Sequence, residues 1–250
     1  MIYVDGFVLA VPADNKEAFR EHASSLQPLF KEYGVARVVE AWGDDVPEGK
    51  VTDFRGAVQA KEDEVVVISW FEYPSREARQ AATAKMRSDP RGAELGAASP
   101  FDGKRMILGG FTAIVEERAD GAGGGGENGY TDGFVVPVPE DKRDAYRDMA
   151  EKAAAMFREY GAVRVVEAWG DDVPLGKVTD FRRAVKAEDG ENVVFSWIEW
   201  PSKAVRDEAW AKVMADPRMQ PDHANMPFDG KRMFWGGFVP MIDTARADNG

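Results

Sequence analysis

The sequence predicts an α+β protein made of two tandem βαββαβ units, and three observations carry that prediction. First, the stretch "RVVEAWGDDVP" at Arg37–Pro47 returns unchanged at Arg164–Pro174. A constant offset of 127 residues relates Trp42 to Trp169, Tyr3 to Tyr130, Asp89 to Asp216 and Phe111 to Phe238. Second, about half of the aligned positions are identical without a gap, which marks one duplicated domain and not a solenoid of short units. Third, "ERADGAGGGGENG" (117–129) separates the copies, and four consecutive glycines disfavour helix and strand alike. The expected organisation is repeat one over 1–117, a flexible linker over 118–129 and repeat two over 130–244.

Within a repeat, "YVDGFVLAVP" (3–12) is rich in aromatic and β-branched residues and stops at proline, a strand pattern. Its apolar groups fall on both faces, which predicts burial from both sides. Asp14 with Glu17 three residues on has the spacing of a capping box for the following helix. In repeat two the helix shows Tyr146, Met149, Ala150, Ala153, Met156 and Phe157 on one face. Gly34 and Gly161 stand where a left-handed C-terminal residue belongs. Pro28, matched by Ala155, predicts a kink in the first helix, because proline removes a backbone donor.

Val35–Gly43 is the second strand. A long polar connection then leads to the third strand at Val65–Pro74. Ser75 and Ser202 are placed to cap a second helix that ends near Asp89 and Asp216. Met106–Glu116 is the last strand. This order is the ferredoxin-like split pattern, with two helices on one sheet face. The other face is apolar and needs a cover, so the two sheets are expected to close on each other within one chain, giving a monomer.

The chain has 250 residues, 32 Lys+Arg against 44 Asp+Glu, a formal charge of −12, two histidines and no cysteine. The absence of cysteine excludes disulfides, thiol nucleophiles and thiolate metal sites. The acidic balance argues against nucleic acid and anionic membranes as partners. No run approaches the roughly 18 apolar residues of a membrane span, and no signal-like segment follows Met1, so the expected location is the cytoplasm.

The strings "YVDGFV", "RVVEAWGDDVP", "GKVTDF", "SWIEWPS", "DPRM" and "MPFDGKRM" with "GGF" are present, and both repeats resemble the YbaA-like family nearly end to end. The resemblance implies a dimeric α/β barrel, here formed by two ferredoxin-like units packed sheet to sheet inside one chain. It brings no assigned activity and no catalytic residues. The wider superfamily it implies includes cofactor-free monooxygenases, dismutases of small reactive molecules and simple binding proteins.

The candidate chemistry lies on the strands. Glu40 and Trp42 share one face, as do Trp70 and Glu72 on the next strand; the equivalents are Glu167, Trp169, Trp197 and Glu199. If those faces coincide, each repeat holds two carboxylates beside indoles. Apolar walls would then raise a carboxyl pKa and fit Glu40 or Glu167 for acid–base work. The competing reading pairs each glutamate with Arg37, Lys50, Arg55, Lys104, Arg105 or their equivalents. Asp44–Asp45 and Asp171–Asp172 lack the spacing of a calcium loop and are expected to cap the turn that follows the strand. His22 reads as a helix-surface residue.

Repeat two keeps Trp210, Met219, His223, Met226 and Trp235, where repeat one has Thr83, Gly92, Gly96, Ser99 and Leu108. A pocket built on those residues would lose walls in repeat one, which predicts one working site per chain. No metal site, P-loop, nucleophile elbow or dinucleotide fingerprint is present, and no cofactor is expected. The expected role is binding a small, partly apolar molecule. The alternatives are a cofactor-independent monooxygenase-like enzyme using a pocket glutamate and an interaction module without ligand.

Overall fold

The structure, a computed structural model, describes residues 1–91, 94, 98–119, 129–219 and 226–245. Repeat one runs β1 (Tyr3–Pro12), α1 (Lys16–Tyr33), β2 (Arg37–Asp45), α2 (Phe54–Ala57), β3 (Glu64–Tyr73), α3 (Arg76–Ser88) and β4 (Ile107–Arg118). Repeat two follows as β5 (Tyr130–Pro139), α4 (Arg143–Glu159), β6 (Arg164–Asp172), α5 (Phe181–Ala184), β7 (Glu191–Trp200), α6 (Lys203–Ala215) and β8 (Phe234–Asp243). Most of the expected linker, residues 120–128, lies outside the described residues; Arg118 still belongs to β4.

Each repeat forms the antiparallel order of a ferredoxin-like sheet, with its first and third strands central. The two sheets then join edge to edge: β2 pairs with β8 and β4 with β6, closing one barrel in the order β1-β3-β2-β8-β5-β7-β6-β4. Closure removes the unpaired strand edges that a lone repeat would expose. The barrel interior is a packed core, with Trp70 and Trp197 stacked across the two repeats at 4.7 Å between ring centroids.

The repeated Asp-Gly-Phe of β1 and β5 follows from this packing. Gly6 and Gly133 face the interior opposite Trp70 and Trp197. A Cβ on Gly6 would lie 3.0 Å from the Phe195 ring, and one on Gly133 would lie 2.7 Å from Ile68 Cδ1, both in the other repeat. The helices cover the outer face of the barrel. Ser75 and Ser202 cap α3 and α6 by accepting from the backbone N–H of Ala78 and Val205. Gly34 is left-handed at φ 102° and Gly161 at 106°.

Pro28 lies inside α1. Two local expectations are corrected. Asp14 makes no cap, because a short 3-10 turn at Ala13–Asn15 leads into α1 without a side-chain acceptor. The long connection contains α2 and α5, four-residue helices capped by Asp53 and Asp180. These two turns touch each other across the repeats: the Thr179 hydroxyl donates to the Ala57 carbonyl at 2.7 Å, and Thr52 does the same to Ala184. Phe54 and Phe181 plug this end of the barrel.

The aspartate pairs are a third correction. They reach across the seam instead of capping a turn. Asp44 accepts from the Tyr130 hydroxyl (2.9 Å) and Lys203, and Asp45 pairs with Arg206. In the mirror arrangement Asp171 accepts from the Tyr3 hydroxyl (2.9 Å) and pairs with Arg76, while Asp172 pairs with Arg79. No helix among the described residues is long and apolar enough to cross a membrane.

Candidate functional site

Strand register decides where the carboxylates point. Glu40 lies opposite Ser69, whereas Trp70 lies opposite Val39 and Glu72 opposite Arg37. Directly paired residues share a face, so the expected coincidence fails. Glu40 and Trp42 face outward under the helices. Trp70 and Glu72 face inward. Repeat two is the same: Glu167 opposes Ser196, while Trp197 and Glu199 oppose Val166 and Arg164.

The inward pair belongs to a buried charge cluster at the end of the barrel away from α2 and α5. Arg37 forks onto Glu199 of the other repeat at 2.9 and 2.8 Å and onto Asp243 at 2.8 Å. Arg164 forks onto Glu72 at 2.6 and 3.0 Å and reaches Glu116 at 2.8 Å. The Trp70 and Trp197 indoles donate to Glu72 and Glu199 at 3.1 and 3.0 Å. Burial pushes the Glu199 carboxyl up, but Arg37 and Arg164 outweigh it and hold it below the usual range. These groups are bound to one another, leaving no room for a reactant.

The outward glutamates stand in cavities between helix and sheet. In repeat two a cavity of about 850 Å³ opens between α4, α6 and the outer face of β5–β7. Its walls include Phe134, Met149, Met156, Trp210, Met219 and Met226. Glu167 reaches it, partly exposed, and accepts a 2.7 Å hydrogen bond from the Tyr146 hydroxyl. Burial raises its carboxyl to about 7, a shift the Tyr146 and Ser196 hydroxyls only partly offset. Lys152 and Arg218 also line the cavity, but Arg218 is tied to Asp216 and Glu159, each at 2.7 Å.

In repeat one the matching cavity holds about 320 Å³. Leu26 and Phe71 occupy space that Ala153 and Ile198 leave open. Glu40 is 7 % exposed and is pushed up to about 8 by burial, against which only the Ser69 hydroxyl acts. Phe19 replaces Tyr146. Repeat one thus keeps a smaller cavity, with Ser99 at the place of Met226 and no wall from Thr83 at the place of Trp210. His22, expected at the surface, lines it.

Of the other expected residues, Trp210, Met219 and Met226 converge on the repeat-two cavity. Trp42 and Trp169 pack beside the cavities, under Lys16 (5.3 Å) and Arg143 (5.5 Å) respectively. Trp235 is 37 % exposed, outside the cavity, with the Arg206 guanidinium 5.8 Å from its ring. His223 lies outside the described residues. Tyr146 and Ser196 were not singled out from sequence. Tyr146 shows there only as part of the apolar helix face, and Ser196 needs the strand register. Among the described residues no three carboxylates or imidazoles converge as metal ligands would.

The family model described as "Protein of unknown function (DUF1428)" matches residues 2–103 and 129–230. The chain belongs to this family. A DUF1428 relative, the "Uncharacterized protein YbaA" of Escherichia coli K12, is 67 % identical over 114 residues, 97 % of its own length but 46 % of this chain. The relative of the same name from Shigella flexneri gives the same figures. One relative thus corresponds to one repeat.

Solved structures similar to the whole chain include candidate monooxygenases of Fusobacterium nucleatum and Lactobacillus acidophilus. The first has a TM-score of 0.60 at 11 % identity and covers 97 % of this chain and 93 % of its own. The second has 0.57 at 12 % and covers 97 % and 95 %. An anthrone oxidase-like protein follows with 0.53 at 14 %, covering 97 % and 92 %. At these identities the likeness is one of fold: an α/β barrel built from two ferredoxin-like halves.

Proposed function

We propose that the repeat-two cavity binds a small, partly apolar molecule and that Glu167 exchanges a proton with it. The observation that carries this reading is the carboxyl on an apolar cavity wall, with hydroxyls and no cation as its described partners. A volume of about 850 Å³ lies within the ~300–1,000 Å³ range of ligand pockets. A carboxyl titrating at about 7 is half protonated near neutrality, where a general acid or base works best. Tyr146 donates to one carboxyl oxygen, and the Ser196 hydroxyl is the group's other neutral partner. The chain acts as a cytoplasmic monomer, since its own second repeat fills the place of a partner subunit.

A second reading, cofactor-independent oxygenation, matches the names of the similar candidate monooxygenases. The fold alone connects them to this chain, and the support here is Glu167. As a base it would ionise a bound phenol or carbon acid, the step that makes such substrates electron-rich.

The test uses 2-naphthol, an apolar body with one acidic hydroxyl, in titration calorimetry. Wild type is expected to bind with a stoichiometry near one. Glu167→Gln is expected to weaken binding at least tenfold while melting near wild type, and Trp210→Thr to weaken it by a similar factor. Unchanged affinity in Glu167→Gln, or a melting temperature lowered by many degrees, rejects the reading. A flat calorimetric trace in wild type favours the interaction-module alternative.

A further inference from the structure

The repeat-one cavity differs from its twin in chemistry as well as size. It is lined by Phe7, Phe19, Phe30, Phe71 and Phe101, rings locked against one another: Phe30 to Phe71 at 4.7 Å, Phe7 to Phe71 at 5.0 Å and Phe19 to Phe101 at 5.9 Å between centroids. Among the described lining residues none is lysine or arginine, whereas Lys152 and Arg218 line the repeat-two cavity. The Tyr146 hydroxyl that holds Glu167 has no counterpart, because Phe19 stands there. Glu40 is more than nine-tenths buried and aimed into this aromatic box with one neutral partner.

A buried carboxylate without a counterion costs several kcal/mol, and the structure supplies none. Aromatic faces attract cations through their quadrupole, most strongly where water is excluded. The geometry points to a second, distinct site in repeat one that takes a small monoamine as its ammonium, paired with Glu40 and boxed by the phenylalanine rings. About 320 Å³ sits at the small end of ligand pockets, which suits an arylmethyl or short alkyl amine. The site stands independently of the function proposed for repeat two.

The protonation balance gives this site a signature. The titratable groups facing the cavity are Glu40 on β2 and His22 and Tyr33 on α1; Ser69, Phe71, Met86, Ser99, Phe101 and Met106 from the other elements do not titrate. Burial holds the His22 imidazole below its usual value and the Tyr33 phenol above its own, so both are neutral between pH 7 and 9. Empty, Glu40 is mostly protonated below about 8. An ammonium ligand requires the carboxylate, so binding releases the Glu40 proton to buffer. Affinity therefore rises with pH toward 8, by up to about tenfold per unit for one proton. A neutral acceptor such as an alcohol needs the protonated form, and its affinity falls above pH 8.

The probes are benzylamine and its neutral isostere benzyl alcohol, titrated by calorimetry at pH 6.5, 7.5 and 8.5 in buffers of different ionisation enthalpy. Benzylamine is expected to bind at least tenfold tighter than the alcohol at pH 7.5, to release a proton, and to tighten with pH. Glu40→Gln is expected to weaken it at least tenfold, and Glu167→Gln to leave it unchanged. If Glu40→Gln does not fold, the pH trend and proton release in wild type still decide. Benzyl alcohol binding as tightly as the amine, affinity falling with pH, or loss in Glu167→Gln in place of Glu40→Gln overturns the assignment.

Discussion

Glu199 and Glu167 sit on neighbouring strands of one repeat, and their surroundings drive them to opposite outcomes. Glu199 is held ionised by Arg37 from the other repeat and Arg164 from its own. Glu167, two hydroxyls its only described partners, is raised to about 7. Burial alone fixes neither state. What decides is whether closing the barrel brings a guanidinium to the same face. The inward glutamates tie the repeats together, and the outward ones keep a proton near neutrality.

The largest expected effect breaks the inward side. Arg37→Met takes the forked partner from Glu199, leaving it Arg164 at 3.4 Å, and removes one partner of Asp243; loss of one partner of a buried pair costs about 3–5 kcal/mol. Thermal melting should fall by many degrees for Arg37→Met and hardly at all for Glu167→Gln. Equal melting of the two variants would mean that the two faces do not differ in role.

The next effect is set by pH and sharpens the outward side. The folded pKa of Glu40, about 8, lies above its ordinary value of 4.5. The associated stability is fully present below 4.5 and is lost as pH rises through 8, on the order of a few kcal/mol. Glu40→Gln has no proton to lose. Urea unfolding should place it close to wild type at pH 5 and above wild type at pH 9. Glu199 has the reverse sign: its lowered pKa contributes stability at neutral pH that is lost as pH falls. A stability gap between Glu40→Gln and wild type that does not change with pH would remove the raised carboxyl from repeat one.

The smallest effect compares the two outward sites directly. Tyr146 donates to Glu167, and Phe19 leaves Glu40 without that bond. Tyr146→Phe should raise Glu167 from about 7 toward the value of about 8 at Glu40, and Phe19→Tyr should lower Glu40. One pKa unit corresponds to about 1.4 kcal/mol, and carboxyl carbon shifts followed against pH would read it. No movement in either variant would remove the hydroxyl as the cause of the difference.

The repeat, the strand patterns and the serine caps were legible in the sequence because each depends on residues close along the chain. A period of two says that Glu40 travels with Trp42 and Trp70 with Glu72. It says nothing about how one strand is shifted against the next, and that register sent the pairs to opposite faces. α2 and α5 were hidden inside a polar connection, since four residues leave no periodicity to read.

The sequence by itself therefore determined the duplicated ferredoxin-like unit, its element order and the apolar sheet face that demands a cover. Hydrophobic period, proline and glycine positions and caps are local and survive without a fold. The tertiary structure decided everything that depends on a partner from far along the chain. It joined the sheet edges into a barrel and placed Arg37 against Glu199, 162 residues away. It carried Asp44 and Asp45 across the seam to Tyr130, Lys203 and Arg206. It set Tyr146 on Glu167 and left Glu40 among phenylalanines. A carboxyl's charge is fixed by what stands within a few ångströms of it, and only the folded chain supplies that.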